Sequence, residues 1–570
     1  MSRMFLRILS TAVFLLFNSA LVFSQSENGQ IFGQVTDPQG LSVSGATVEL
    51  VNQETQAKKE TNSDGVGHYV IPNVQQGRYQ ITVQAAGFGV FTSSDIMLAA
   101  GQSLVFDIKL AVTQEKTSIT VGAGGAGQVE TTNAEVAGTL SETEVKTLGL
   151  NGRIAFQLIA LVPGVSNQTG QDEGKTGVAG SAKYSVNGGR VEYNIFEVDG
   201  TDVLNNGINA ARGANTFVVN PSVDAIGEMK VLTSNYGAMY GKTASGIVLI
   251  TTKSGTSAFH GSGYEFIRNE VFNARNFFDQ TKKAPLYRRN DFGFTLGGPV
   301  FIPNHYNTNK QKTFLFFSQE FRFEKTPVDY NQAVPSSAER AGDFSDVCPA
   351  DKTLQITAQN KTQFPDCPVT GFTNSTGTYY RSGFNGSTAG FATDQLPIDP
   401  TSQALISTNL LPAPNAVSGC NSTVTSSANP ACYVASVSPS TTWIESLFRV
   451  DQNLSNSEIL SFRFIHDSWN TTVLTPQWGL VQNSFPTVQN HINGPGLSMI
   501  ASLVSALPKG FANRLSFGYV SADITLAQVA GPGVNLSRPA NLDTPCPTDS
   551  SGNLNCSETN SVLKIGRAHV

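Results

Sequence analysis

The stretch that decides the fold is Leu315-Phe316-Phe317-Ser318-Gln319-Glu320-Phe321-Arg322-Phe323-Glu324. Apolar side chains occupy alternate positions from Leu315 to Phe323, interrupted by Gln319. A period of two residues predicts a β-strand with one apolar face. The charged Glu320 and Arg322 share the other face, where water can solvate them. If this face of the strand were in contact with lipid, Arg322 would destabilise the protein by about 2–4 kcal/mol at the middle of the bilayer.

The same alternation recurs at 292–297, 460–465 and 515–520, with Ile465 breaking the polar side of its segment. After residue 24 there is no run of about 18 apolar residues, so no helix is predicted to span a bilayer. A membrane position would then require a closed β-barrel, in which every backbone group is paired. The polar stretches 327–440 and 468–490 are predicted to be its long extracellular loops. A soluble β-sandwich with one wet face would alternate equally well.

The composition favours a β-rich protein outside the cytoplasm. The 570 residues include 53 Gly and 35 Phe, and only 14% are charged. The net charge of −6 and the lack of Lys/Arg blocks argue against nucleic acid as a partner. Because no spacing of nucleophile, base or metal ligands fits a known kind of site, we predict no catalytic residue, no metal and no cofactor, and hence no enzyme.

The N-terminus has the pattern of a secretory signal peptide. Arg3 and Arg7 precede an apolar stretch at 8–23, and cleavage is predicted after Ser24. A transmembrane anchor is the alternative interpretation. The six cysteines lie downstream in three close pairs, within polar loop-like stretches. Since an exported chain meets an oxidising compartment, we predict three local disulfides that pin surface loops. These cysteines are Cys348, Cys367, Cys420, Cys432, Cys546 and Cys556.

Residues 25–111 contain short alternating segments separated by turns such as Asp37-Pro38-Gln39-Gly40 and Asn62-Ser63-Asp64-Gly65. This spacing predicts a β-sandwich. The stretch resembles the carboxypeptidase regulatory-like domain, a prealbumin-like sandwich related to carbohydrate-binding-like folds. The resemblance implies a scaffold without the peptidase. Sugar binding and a plain spacer both remain open.

Residues 136–255 mix helical and strand patterns. Ser141 has the position of a helix N-cap, with Glu142 and Glu144 in the first turn. A second helix is predicted from about Asn151 to Leu161. The strings 148–153, 161–165 and 236–255 resemble the plug of TonB-dependent receptors, and 259–266 resembles their first barrel strand. With the N-terminal sandwich, the chain resembles the Oar-like subgroup. The fold class implied is mainly β: a prealbumin-like β-sandwich, an α+β plug domain and a partial transmembrane antiparallel β-barrel.

The resemblance also implies a function in the cell outer membrane. Such receptors import a ligand, with energy supplied by TonB and its inner-membrane motor. TonB pairs with an extended, β-branched segment ahead of the plug. The residues of that type and place are Ser118, Ile119, Thr120 and Val121. The same four residues also suit the last strand of the sandwich or a plain linker.

The ligand class stays open among sugars, peptides and metal chelates. The alternative function is surface adhesion or signalling without transport. The other expected partner is outer-membrane lipid.

The expected domain order follows from these patterns: 1–24 signal peptide, 25–111 sandwich, 112–135 linker with the TonB-binding segment, 136–255 plug, 256–564 partial barrel. With roughly six to eight candidate strands after residue 258, about a third of what the family implies, we expect the chain to be an N-terminal fragment. The tail 565–570 is expected to be an artefact of the gene model.

Overall fold

The computed structural model describes most of the chain between residues 28 and 535. The described ranges are 28–111, 134–150, 152–168, 183–205, 216–237, 240–241, 243–274, 284, 286–343, 371–373, 379–381, 400–416, 431–473, 485–507, 512–531 and 533–535. The predicted signal peptide (1–24) and the tail (565–570) lie outside these ranges.

Residues 28–111 form two facing sheets, as the turn spacing predicts. The strands are β1 (Gly29–Thr36), β2 (Thr47–Asn52), β3 (Lys58–Asn62), β4 (His68–Val74), β5 (Gly77–Gln84), β6 (Phe91–Leu98), β7 (Ser103–Val105) and β8 (Ile108–Lys109). One sheet has the order β4-β1-β7, with β8 also paired to β1, and the other has the order β3-β2-β5-β6. Alternate residues such as Ile31, Val48 and Ile81 are fully buried between the sheets. This unit is called the sandwich below.

The second unit, called the plug, is a small mixed sheet with short helices. Its elements are β9 (Val136–Ser141), α1 (Glu142–Thr147), a 3-10 helix (Ala155–Leu161), β10 (Val165–Asn167), β11 (Tyr184–Val186), β12 (Ile195–Val198), β13 (Thr201–Asp202), β14 (Leu204–Asn205), β15 (Thr216–Phe217), β16 (Ile226–Ser234) and β17 (Ile247–Thr252). Its main sheet has the order β13-β12-β17-β16-β9. Strand β9 is therefore an edge strand.

The first predicted helix is confirmed and the second is corrected. Ser141 caps α1 through a capping box with Glu144, whose pKa is lowered by hydrogen bonds from the Ser141 backbone and hydroxyl. The second helix is a 3-10 helix that begins at Ala155 rather than near 151. The reason is local: Arg153 adopts a left-handed φ of 52°, which no α-helix tolerates.

The third unit is one large antiparallel sheet with its loops. Its elements are β18 (His260–Asn269), β19 (Arg288–Pro299), β20 (Thr313–Lys325), β21 (Val328–Ala333), β22 (Gly371–Thr373), β23 (Tyr379–Arg381), α2 (Pro400–Ser407), β24 (Cys432–Val437), β25 (Ser440–Asn453), β26 (Glu458–Val473), β27 (Val488–Asn493), β28 (Gly496–Ala506), β29 (Ala512–Ala522) and β30 (Thr525–Ala530). Neighbouring strands follow the order β18-β19-β20-β25-β26, and β26 then pairs with β28 along its first part and with β27 at its end.

The last four strands of the sheet are two long strands with breaks. Pro495, which has no N–H for a ladder, separates β27 from β28, and a two-residue break separates β29 from β30. The described sheet thus consists of seven long strands. We call it the barrel wall, because its two ends, at Tyr264 on β18 and Gly518 on β29, both face plug residues.

The two faces of the wall follow the sequence alternation. Phe317, Phe448 and Phe462 lie on the outer face, whereas Glu320 is fully buried on the inner face against the plug. Gln319, the polar interruption, is satisfied on the outer face. It donates to the Glu445 carbonyl at 2.8 Å and accepts from the Ser446 hydroxyl at 2.9 Å.

Some inward-pointing residues of the wall are apolar because they contact the plug. Phe316, Leu447 and Ile465 pack into the plug core, so this part of the lumen is lined with protein rather than water. For the same reason the sequence did not predict β25. Its inward-pointing residues are partly apolar and partly charged (Trp443, Glu445 and Leu447), so they do not form a polar face.

The predicted loop boundaries need correction. Residues 468–473 belong to β26, so the prediction of a loop from 468 was wrong. Beyond Asp467, the side chains of Trp469 and Thr471 also point inward and are buried. Both residues remain paired with β25, so the strand continues past residue 468. Within 327–440, β21 and β24 pair with each other as an extension above the wall. In the described part of the chain, no helix has the length and apolarity required to cross a membrane.

The outer face can be tested at Phe448, in the middle of β25. We expect Phe448→Arg to destabilise the membrane-inserted protein by about 2–4 kcal/mol, the cost of a basic side chain near the bilayer midplane. Phe448→Met removes the ring without adding charge and should cost less than about 1.5 kcal/mol. Denaturant unfolding from lipid vesicles measures both. Equal stabilities of the Arg and Met variants would contradict a lipid-facing position.

Candidate functional site

The residues that the sequence nominated as sites lie mostly outside the described ranges. This holds for Ser118, Ile119, Thr120 and Val121, and for five cysteines: Cys348, Cys367, Cys420, Cys546 and Cys556. Cys432 is described; it is disulfide-bonded and fully buried in β24. The pairing of the cysteines remains a prediction. The structure instead describes a region that the sequence did not single out, the contact between the plug and the inner face of the barrel wall.

A tight turn of the plug forms the first part of this contact. Asp199 and Gly200 connect β12 to β13 with φ values of 49° and 91°, so both residues are left-handed. Asp-Gly is favoured in such two-residue hairpin turns, since both residue types tolerate this conformation. The Asp199 carboxylate accepts hydrogen bonds from the backbone N–H and the hydroxyl of Thr252, at 3.0 and 2.8 Å. Hydrogen bonds within the plug itself therefore hold the turn in place.

Three arginines of the barrel wall converge on this turn. Arg463 Nε lies 3.2 Å from Asp199 Oδ2, and Arg449 Nη1 lies 3.5 Å from Oδ1. Arg514 donates to the Asp199 carbonyl at 3.3 Å. We call Asp199 with Arg449, Arg463 and Arg514 the Asp199 clamp.

The clamp extends beyond the carboxylate. Arg463 also donates to the Val198 carbonyl at 3.1 Å and to the Thr201 hydroxyl at 2.7 Å, while Arg449 donates to the Thr252 carbonyl at 2.7 Å. Because Arg449 and Arg463 face each other directly across β25 and β26, they would repel without a counter-charge. Asp451 of β25 pairs with Arg449 at 2.9 Å, and Asp199 of the plug adds a carboxylate that contacts both arginines.

A second ionic contact has the opposite polarity, with the cation on the plug. Arg153 pairs with Asp224 of the plug at 2.6 Å and lies 3.8 Å from Glu320 of the wall. Its guanidinium covers the rings of Tyr264 and Phe266 at 4.5 and 4.3 Å. Burial lowers the pKa of Arg153, but the carboxylates of Glu320 and Asp224 outweigh it and the pKa is raised overall. Arg153 therefore stays charged at the interface.

The wall residues around Arg153 form a continuous network. Arg322 pairs with Asp291 at 3.0 Å and with Glu320 at 3.2 Å. Arg289 pairs with Asp291 at 2.8 Å and donates to the carbonyl of Gly152 in the plug. Each of these charges is almost fully buried, so each depends on its partners for the solvation that it loses.

Three acids form a row across the wall at mid-height. Glu320, Glu445 and Asp467 are directly opposite one another on β20, β25 and β26. Glu320 accepts from the Tyr264 hydroxyl at 2.7 Å, and Asp467 accepts from the Asn220 N–H at 2.8 Å and from Trp443 Nε1 at 3.1 Å.

Glu445 lacks such support. It is fully buried, and the donor that reaches its carboxylate among the described residues is the backbone N–H of Ser222, outside normal hydrogen-bond geometry. A buried polar group in this situation costs about 1–3 kcal/mol. The Glu445 position therefore opposes the seating of the plug, while the two ionic contacts favour it.

Close backbone packing completes the contact. The carbonyl of Val218 in the plug lies so near Gly496 of β28 that any Cβ there would overlap it, at 1.7 Å. Ser222 and Ser318 hydroxyls meet at 3.0 Å. The plug thus fills the described part of the lumen with side-chain and backbone contacts. Among the described residues, no group of three or more His, Cys, Asp or Glu side chains is arranged to hold a metal ion.

This arrangement can act as a removable closure. An interface held by hydrogen bonds and ion pairs can exchange its partners for water when it opens, whereas a purely apolar interface cannot. The sequence offered one usable signal, the Asp199-Gly200 turn between two strand patterns. It offered none for the arginines, which lie 250 to 315 residues further along the chain.

The Asp199 clamp can be tested with Asp199→Asn. Asn tolerates the left-handed conformation, so the turn should survive while Arg463 loses the carboxylate of Asp199 and Arg449 keeps that of Asp451. We expect the plug to lose about 3–5 kcal/mol of seating stability, as when one partner of a buried ion pair is removed. Denaturant-dependent proteolysis of the plug measures this loss. Asp202→Asn, on the same hairpin, is the control and should stay near wild type; equal protection of both variants would exclude the clamp.

The acid row yields two substitutions with opposite expected signs. Glu445→Met should stabilise the seated plug by about 1–3 kcal/mol, because it removes a buried carboxylate that has no hydrogen bond of normal geometry among the described residues. Glu320→Met, at the directly opposite position, should destabilise it by about 3–5 kcal/mol, because it leaves Arg153 and Arg322 short of a partner. The same proteolysis assay compares the two. A loss of stability in both variants would show that Glu445 is satisfied in solution.

Comparison with known proteins agrees with this architecture. Residues 30–111 match the carboxypeptidase regulatory-like domain. The TonB-dependent transporter Oar of Myxococcus xanthus is 24% identical over 303 residues, which cover 50% of this chain and 26% of that protein. The match thus spans about a quarter of the length of this curated relative.

Two solved structures resemble the chain at low similarity. The outer membrane transporter YddB of Escherichia coli has a TM-score of 0.38 at 8% identity, covering 68% of this chain and 39% of its own. The siderophore receptor PirA of Acinetobacter baumannii has a TM-score of 0.31 at 12% identity, covering 68% and 44%.

The family assignment rests on the barrel wall. The outer membrane beta barrel domain matches residues 251–561, which is 311 of the 570 residues. This range contains β18 to β30, among them every strand of the barrel wall. The protein is therefore a member of the outer membrane β-barrel domain family, located in the outer membrane, and a homologue of the TonB-dependent transporter Oar.

Proposed function

We propose that the protein is an outer-membrane receptor that imports its ligand by TonB-coupled active transport. The observation that carries this proposal is the ionic seat of the plug, the Asp199 clamp and the Arg153 contact with Glu320. A closure that fills the lumen yet is held by polar bonds suits a channel that must open and close repeatedly. The name of the relative Oar, a TonB-dependent transporter, supports the same function.

The proposed energy input enters ahead of the plug. Ser118, Ile119, Thr120 and Val121 would pair with TonB by strand addition, with TonB linked to its inner-membrane motor. They precede β9, the edge strand of the plug sheet. A pull on this segment would load β9 first and then the sheet to which it is paired. The ligand would be a sugar, a peptide or a metal chelate that reaches the plug from the loop side.

The TonB contact can be tested with Ile119→Pro. Proline removes the N–H and fixes φ, so strand pairing with TonB should be lost. We expect disulfide or chemical cross-linking to TonB to fall to background, with a normal level of receptor in the membrane. Gln128→Pro, elsewhere in the linker, is the control and should cross-link as wild type does. Undiminished cross-linking of Ile119→Pro would remove the segment from the proposal.

Transport is distinguished from adhesion by energy dependence. A transporter accumulates its ligand inside the cell only while the proton motive force is maintained, whereas an adhesin binds the ligand equally well without it. Binding that is independent of the proton motive force, with no uptake, would favour a surface adhesion or signalling role.

A further inference from the structure

Hydrogen bonds join one end of the sandwich to the plug and to the barrel wall. Three turns meet at this end: 53–57 between β2 and β3, 75–76 between β4 and β5, and 99–102 between β6 and β7. The strand registers place them together, since Asn52 pairs with Tyr79 and Gly77 pairs with Leu98. We call these three turns, with Asn73 just before the second, the docking end.

Each turn contacts a different part of the receptor. The Glu54 carbonyl accepts from the Ser257 N–H at 3.0 Å and from its hydroxyl at 2.7 Å. Asn73 Nδ2 donates to the Ser505 carbonyl at 3.3 Å. The Ala100 N–H donates to Glu228 Oε1 at 3.0 Å.

The partners of the docking end belong to both the plug and the barrel wall. Glu228 is on β16 of the plug, Ser505 is near the end of β28, and Ser257 lies between the plug and β18. Ser505 is at the same edge of the wall as the short turn between β25 and β26, because it pairs with Glu458. Short turns mark the periplasmic side of such barrels. The docking end therefore bridges the plug and the periplasmic rim.

The contact is locally pre-formed. Asn73 has a left-handed φ of 62°, and its carbonyl accepts from Lys59 Nζ at 2.7 Å while its side-chain oxygen accepts from Asn28 at 3.1 Å. Both Asn73 and Ser505 are almost fully buried. Burial raises the pKa of Glu228 above its usual value, as expected for a carboxyl covered by a second domain.

The chain leaves the sandwich at the opposite end. Ala111 accepts from the Gly89 N–H at 2.8 Å, and Leu110 donates to the Thr36 carbonyl at 2.8 Å, which places both far from the docking end. The segment proposed to bind TonB lies between Ala111 and the start of β9 at Val136. A force applied to it is divided between two paths: forward into the plug, and backward through the sandwich into the rim.

We propose that the docking end is an interaction surface for the seated plug and rim, and that it anchors the receptor in parallel with the plug. The sandwich must then leave the rim before a pull on the linker is carried by the plug alone. This inference rests on the proposed function only for the place where the force enters. The docking itself is a property of the resting receptor.

The test is single-molecule pulling on the complete receptor in a supported bilayer, with the periplasmic face exposed. Ile119→Cys provides the handle in the linker. We expect two ruptures, release of the sandwich and unfolding of the plug. A triple variant, Asn73→Gly, Ser257→Ala and Glu228→Ala, removes the side-chain contacts of all three turns. Glycine at 73 keeps the left-handed backbone. In this variant the sandwich rupture should be lost while the plug rupture remains.

Two controls separate docking from folding. Lys58→Ala, on the exposed face of β3 and paired with Glu49, leaves the docking end intact and should show both ruptures. Hydrogen exchange at Ile81, in the sandwich core, reports whether the triple variant is folded.

If the triple variant is unfolded, Asn73→Cys joined to Ser505→Cys by a short thiol cross-linker decides instead. The link should raise the force of the first rupture and a cleavable linker should restore it.

Identical force curves for wild type and the folded triple variant would overturn the inference, as would a cross-link without effect. Neither result depends on TonB. If Ile119→Pro leaves TonB binding unchanged but the sandwich rupture is present, the proposed TonB segment fails and the docking surface stands. If the TonB contact is confirmed and the sandwich rupture is absent, the docking surface fails and the proposed TonB segment stands.

Discussion

The buried ion pair between Asp199 of the plug and Arg463 of the barrel wall is the interaction on which the rest of the structure depends. Arg449 and Arg463 are like charges at opposite positions of neighbouring strands, and two carboxylates offset their repulsion: Asp451 of the wall, which pairs with Arg449, and Asp199 of the plug, which contacts both. The wall in turn supplies three arginines that contact the Asp199 turn. Plug and wall therefore complete each other, and neither has a fully compensated inner surface alone.

The interface combines favourable and unfavourable terms at one height of the wall. Glu320 is supported by Tyr264, Arg322 and Arg153, whereas Glu445, directly opposite, has only a contact with the Ser222 N–H that lies outside normal hydrogen-bond geometry. An unsatisfied carboxylate within the seat keeps the net stability of the closure moderate, because its cost disappears as water enters.

The sequence predicted the class of fold and the two faces of the wall, since those depend on local alternation. It predicted the strand at 315–324, the N-cap at Ser141 and the sandwich from its turns. It missed β25, because Leu447 and Trp443 face inward against protein rather than water. The seat itself was out of reach: Asp199 and Arg463 are 264 positions apart, and only the assembled topology brings them together. The residues that the sequence named for TonB lie in the part of the chain whose structure is not described.

The apolar patch of Phe316, Leu447 and Ile465 on the inner wall has a consequence for the reset of the channel. While the plug is seated, these side chains share its core. Once it leaves, they meet water, at a cost of about 1.5–3 kcal/mol for each side chain. The emptied lumen is thus a high-energy state with a built-in tendency to refill. In the proposed transport cycle, opening therefore needs external work, whereas return of the plug to the lumen lowers the free energy and needs none.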